Sequence, residues 1–140
     1  MKKLCFLLLI AGFVGCSSDE DNNTSVPDQE ASIYGKWYYK DIMVNDNTYP
    51  YDDHEECGKD YIEFYDTNKV RSVDIWDCEE DIDGEGNFTI TADNMLTIVA
   101  GEITTTVEII ELSSTKLSYT YTTDWNEDGV EDTIIENFDR

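Results

Sequence analysis

A chain of 140 residues suits one domain. With 32 Asp and Glu against 9 Lys and Arg, its formal net charge is −23 at pH 7. Such a surface repels phosphate backbones, which excludes nucleic acid as a partner, while its dense carboxylates attract divalent cations.

The chain opens with Lys2 and Lys3, followed by an apolar run over 4–14. Eleven residues are too short to cross a bilayer, which takes about 20, so residues 1–15 read as a signal peptide and not as a membrane span. Phe13-Val14-Gly15-Cys16 resembles a lipobox, the pattern after which bacterial lipoproteins are cut. Gly15 is the small residue before the cut, and Cys16 supplies the thiol for diacylglycerol. Phe13 stands where Leu is usual. The resemblance implies that Cys16 is lipidated and that acyl chains tether the protein to a membrane. Cleavage removes two lysines and no acid, so seven bases against 32 acids leave a mature charge of −25.

Residues 16–32 then form the lipidated Cys and an acidic tether without aromatics, SSDEDNNTSVPDQEAS after Cys16, which is expected to be disordered. Ser17 is not the Asp associated with inner-membrane retention. The run Ser17-Ser18-Asp19-Glu20-Asp21 resembles acidic export signals that carry lipoproteins to the outer surface. The expected location is therefore the outer membrane of a Gram-negative bacterium, with the outer surface as one of its two open faces.

From residue 33 the texture changes to short β-rich runs, at 37–44, 61–65, 70–76, 87–91, 95–99, 103–112, 116–123 and 130–138. Turn chemistry separates several of them: Asp66-Thr67-Asn68, Asp83-Gly84-Glu85-Gly86, Ala92-Asp93-Asn94, Ala100-Gly101, Ser113-Ser114 and Asp128-Gly129. Phe88 and Ile90 share one face of their run. Leu117, Tyr119 and Tyr121 oppose Lys116, Ser118 and Thr120. Such alternation marks antiparallel strands with one buried face. No segment shows a helical period, and Pro27 and Pro50 fall outside the eight runs. The pattern predicts an all-β domain over 33–140, an eight-stranded antiparallel up-and-down barrel, with a sandwich as the alternative. The aromatics Trp37, Tyr39, Phe64, Trp76, Phe88, Tyr119, Tyr121 and Phe138 are expected to form its core or to line a ligand pocket.

Of four cysteines, Cys5 leaves with the signal peptide and Cys16 takes the lipid. Cys57 and Cys78 remain, an isolated pair in an oxidising compartment, which reads as a disulfide, with two free thiols as the alternative. The stretch Tyr51-Asp52-Asp53-His54-Glu55-Glu56 holds the only histidine and reads as a solvated loop, with a transition-metal site as the alternative. There is no Ser-His-Asp spacing and no phosphate-cradling glycine loop, so no catalytic residue is expected and the protein is not expected to be an enzyme.

The sharpest local signal is the acidic stretch 124–132. Asp124, Asn126 and Asp128 alternate, Gly129 follows, and Val130 and Asp132 add a carbonyl and a carboxylate, matching the start of a calcium loop. All five donors are hard oxygens, which suit Ca²⁺. Position twelve is Ile135, where a helix-loop-helix site has a bidentate Glu, so the expected affinity is weak, about 10⁻⁴ to 10⁻³ M; the alternative is a solvated Asp-Gly hairpin turn, which forms without any metal.

Gly35 and Trp37 form a Gly-x-Trp at the head of the first run, followed by Cys57, two paired runs and Cys78. Together with the lipobox and the eight runs, this resembles the lipocalin-like domains of secreted bacterial lipoproteins, over residues 33–140. The resemblance implies that Trp37 plugs the closed end of the barrel. Its implied partner is a basic residue from near the last strand, a role that falls on Arg140, the only base after Lys116. It also implies a small apolar or amphipathic ligand. A non-enzymatic interaction module, with a filled barrel and an acidic surface, is the alternative. Neither a particular ligand nor a protein partner is named by these residues.

Overall fold

The computed structural model describes residues 31–140. The expected signal peptide, Cys16 and the tether up to residue 30 lie outside the described residues. Ala31 and Ser32 are exposed and carry no regular structure.

Nine strands follow: β1 (Gly35–Val44), β2 (Asn47–Pro50), β3 (Tyr61–Tyr65), β4 (Lys69–Trp76), β5 (Glu79–Ile90), β6 (Met95–Ala100), β7 (Ile103–Leu112), β8 (Lys116–Thr123) and β9 (Asp132–Asp139). From β3 onward each strand is antiparallel to the next, β1 pairs with β3, and β9 returns to β1. The result is the closed eight-stranded barrel that the alternation predicts, with no exposed long edge. Because β9 holds one side of β1 from Tyr38 to Val44, β2 takes the other side, beyond the point where β3 ends.

Period-two side chains aim one face of every strand inward. Trp37, Ile62, Phe64, Val70, Phe88, Leu96, Val107, Ile109, Leu117 and Phe138 meet there in one buried cluster. Phe64 and Phe88 cross edge to face, with ring centres 4.9 Å apart. The cluster fills the end of the barrel where the chain enters. A smaller cluster of Tyr61, Val73 and Ile75 lies on the outer face of β3 and β4. Gly58, of the segment between β2 and β3, packs against Ile75 there, so this segment covers part of the outer wall.

Four details differ from the sequence reading. A ninth strand, β2, is present; it is short and exposed, and its Pro50 stands on an edge where a missing N–H breaks no ladder. Asp83-Gly84-Glu85-Gly86, expected as a turn, runs inside the twelve-residue β5. The real β4–β5 turn is Asp77-Cys78, both with positive φ (52° and 64°), the mirror-image turn that suits a two-residue hairpin. Gly86 serves close packing: a Cβ there would lie 2.5 Å from the carbonyl oxygen of Val99. Trp76, expected among the interior aromatics, is 72% exposed. Val130, expected in the last strand, precedes β9, which starts at Asp132.

Candidate functional site

The closed end explains the Gly-x-Trp. The Trp37 ring is fully buried, and its indole N–H donates to the Ile33 carbonyl at 2.7 Å. The Arg140 guanidinium lies 3.8 Å above that ring. It donates to the carbonyls of Tyr34 at 2.6 Å and Ser32 at 3.1 Å. Gly35 holds φ at 119°, and a Cβ there would meet the guanidinium at 3.2 Å. Glycine is needed for both reasons, backbone freedom and room for Arg140. Burial lowers the Arg140 pKa, as expected for a cation drawn out of water.

The opposite end is open. A cleft of about 640 Å³ is lined by Tyr39, Tyr51, Asp60, Ser72, Asp74 and Asp83, among others, with Trp76 on its rim. β4 contributes by alternation: Val70 joins the core, and Ser72, Asp74 and Trp76 continue the same face outward. A bulge contributes Asp83. Ser72 pairs with Gly84 and Val73 with Ile82, so Asp83 is the extra residue, re-aimed toward the cleft. The segment after β2 contributes Tyr51, stacked on Tyr39 with ring centres 5.1 Å apart.

Asp60 organises this end. Only 2% exposed, it accepts the Tyr51 hydroxyl at 2.6 Å and the Ile75 backbone N–H at 2.8 Å. Its own N–H donates to His54 Nδ1 at 3.0 Å, and His54 Nε2 donates to the Tyr39 carbonyl at 2.8 Å. Both ring nitrogens of His54 are thereby engaged; within the stretch 51–56, Asp52, Asp53 and Glu56 are exposed as expected, while Tyr51 and His54 are pinned. Burial, and then the bond to Asp60, push the Tyr51 hydroxyl pKa upward. Burial also raises the Asp74 carboxyl, with Asp60, Asp81 and Asp83 adding repulsion.

A model described as lipocalin-like domain matches residues 33–119. The chain belongs to the lipocalin-like domain family. No curated protein matches it. The matched region holds Gly35, Trp37, Cys57, Cys78 and the cleft residues; the end of β8, β9 and Arg140 lie beyond it. The lipocalin-like barrel is a fold capable of holding a ligand, closed at the Trp37 end and open at the cleft.

Inside this lipocalin-like barrel lies another carboxylate, Glu136. It stands between Ile134 and Phe138 on the inward face of β9 and accepts the hydroxyls of Tyr119 at 2.7 Å and Tyr121 at 2.8 Å. Burial pushes both tyrosine pKa values up, Tyr119 most strongly. An acid interrupting the apolar alternation Ile134-x-Glu136-x-Phe138 was the available signal for it. Asp60 had none, since its partners come from three separate segments.

The expected disulfide is present. Cys57 and Cys78 are bonded, with Cα atoms 5.7 Å apart, and both residues are exposed. Glu55 adds a second tie across the same gap, accepting the N–H groups of Asp77 and Cys78, each at 3.0 Å. Together they pin the segment before β3 to the β4–β5 turn at the open end.

Of the residues expected to bind calcium, Asp124, Asn126, Asp128 and Val130 lie in the loop between β8 and β9, and Asp132 opens β9; Asp124 and Asp132 are half-buried and the others exposed. Asp124 accepts the N–H of Asp128 at 3.0 Å and of Gly129 at 2.8 Å. Asn126 accepts Asp128 N–H at 3.1 Å, and Asp128 accepts Val130 N–H at 2.8 Å. Asp132 takes the Asn45 side-chain amide at 2.7 Å. Gly129 turns with φ 86°. Among the described residues, the one group of three His, Cys or acid ligand atoms within 4.8 Å of one another is Glu55, Cys57 and Cys78. Its two sulfurs are spent on each other.

Proposed function

We propose that the protein is a lipid-anchored binding protein of the Gram-negative outer membrane, and not an enzyme. In this reading it holds a small or amphipathic molecule at the open end of its barrel. The observation that carries the reading is the cleft of about 640 Å³ at that end, within the range of small-molecule sites, about 300–1,000 Å³. The anchor is supported by the lipobox resemblance at Phe13–Cys16. The test is native mass spectrometry of the full chain released from detergent after exposure to a small-molecule extract of its own membranes. A stoichiometric added mass that leaves on unfolding supports the reading, and a bare protein under all conditions overturns it.

A second reading, a filled barrel acting as an acidic interaction module, is favoured by the apolar cluster packing the closed half. Exposed Trp76, Ile103, Trp125 and Val130 near the other end also favour it. Bare protein in the same experiment favours this second reading.

The proposal includes a structural Ca²⁺ in the loop 124–132. Its support is the all-oxygen donor set at alternating positions of one turn; the carboxylates of Asp124, Asp128 and Asp132, which do not all stand within 4.8 Å of one another, would have to draw together around the ion. Calorimetric titration at millimolar calcium is expected to give weak heats from the wild type and none from Asp128→Ala. Equal heats from both, or none from either, remove the ion.

A further inference from the structure

We propose that the open-end cleft selects a small organic cation, an amine or ammonium group carried on a flat apolar body. This rests on the reading of the barrel as a ligand-binding one and narrows its ligand.

Three observations carry the proposal. The first is the wall chemistry. Asp53, Glu55, Asp60, Asp74 and Asp83 line the cleft, and no Lys or Arg does. In a concave site with protein walls, one sign of charge focuses the field and concentrates counter-ions. An anionic ligand is repelled by the same field. The second is the aromatic surface. Tyr39 and Tyr51 stack along one wall, and the Trp76 indole stands on the rim, 72% exposed. Aromatic faces attract organic cations and cover flat apolar bodies. The purely apolar space at the other end is occupied by Trp37, Phe64 and Phe138, which leaves the acidic mouth as the open part of the interior.

The third separates an organic cation from a bare metal ion. Among the described residues, the cleft carboxylates do not bring three ligand atoms within 4.8 Å of one another. Their charge is spread along the walls, whereas a metal ion requires ligand atoms drawn around one point. A spread charge suits a larger cation that offers several N–H or C–H edges. Asp74 reports the uncompensated charge: its carboxyl is held above the ordinary range by burial and by Asp60, Asp81 and Asp83.

The test uses three indoles of similar size whose side chains end in groups of different charge: tryptamine (cationic ammonium), tryptophol (neutral hydroxyl) and indole-3-acetate (anionic carboxylate). Each is titrated calorimetrically into the full chain in detergent, with detergent blanks subtracted. Tryptamine is expected to bind about tenfold or more tighter than tryptophol, which is about 1.4 kcal/mol, and indole-3-acetate to give no heat. Tryptamine affinity should fall as salt rises. Asp74→Asn with Asp83→Asn should weaken tryptamine about tenfold and leave tryptophol unchanged. Equal affinity for tryptamine and tryptophol overturns the proposal, as does tryptamine binding that is insensitive to salt. Binding of none of the three overturns it also. Each of these leaves the broader binding reading standing, since that falls only to the bare-protein result above. If the double variant does not fold, the three-ligand comparison and the salt series on the wild type still decide.

Discussion

A single guanidinium links the first and last strands. Arg140 stacks on Trp37 and donates to two carbonyls of the entering chain, so it fastens the plug of the barrel. A partly desolvated cation–π contact and charged hydrogen bonds are worth about 1–3 kcal/mol each before side-chain entropy is subtracted. Arg140→Ala is expected to cost about 2 kcal/mol, read as a lower urea midpoint with unchanged slope and an altered Trp37 emission. Stability within error of the wild type would show the contact to be idle. Asp74 acts in the opposite direction. A carboxyl whose folded pKa is raised favours folding while protonated. Its contribution is fully present below the ordinary Asp value, about 3.9, and is lost as pH rises through the raised folded value. Asp74→Asn is therefore expected to raise the melting temperature at neutral pH, with the difference closing toward pH 3–4, about where Asp74 is protonated in both states. Thermal melts of both proteins across this range check the sign.

At the scale of elements, the open end is held by the segment between β2 and β3, through the disulfide and Glu55. The bridge spans 21 residues. Closing a loop of this length contributes about 3 kcal/mol by restricting the unfolded chain. Reduction is expected to remove about that much, and Cys57→Ser with Cys78→Ser to match it, as read by urea denaturation. A reduced protein as stable as the oxidised one would place the segment's order elsewhere, on Asp60 and Tyr51. These elements also mark what was legible in advance. β3, β8 and the end of β5 carry apolar residues every second position, so their pairing and inward faces followed from pattern alone. The start of β5, Glu-Glu-Asp-Ile-Asp-Gly-Glu-Gly, has no such period. It is a strand because β4 offers a ladder through the Asp77-Cys78 turn, and acids and glycines there read locally as a turn. β2, Asn-Thr-Tyr-Pro, is exposed along its whole length and has no buried face to announce it. The cleft was illegible for a related reason. Asp60, Tyr51, Ser72 and Asp83 meet through a bulge and a long connection, and neither leaves a periodic trace. The plug at Trp37 was legible because one short motif carries both its glycine and its ring.

The whole molecule is polar in charge along the barrel. The open-end turns 45–46, 77–78 and 124–131 hold acids and no Lys or Arg, and the connection 51–60 there sets Lys59 against five acids. Lys69, Lys116 and Arg140 stand at the closed end, where Ser32 meets Arg140. In the proposed anchored form, attachment through Cys16 would draw the closed end toward the membrane, and an anionic leaflet would repel the acidic mouth. Both effects would turn the cleft away from the lipid. This orientation would depend on the anchor, because a chain with a formal net charge of −23 has no electrostatic affinity for anionic headgroups. In the proposed form acyl chains would supply the binding, at about 0.8 kcal/mol per buried methylene, and one chain alone holds only marginally. A lipidated Cys16 with several chains is therefore expected to place the protein in the detergent phase of a temperature-induced partition. Cys16→Ala is expected to move it to the aqueous phase, since the barrel's own surface is acidic on every open-end turn. A Cys16→Ala protein that stays with the detergent would mean that some other part of the chain carries the attachment. The closed-end-down orientation would then lose its cause.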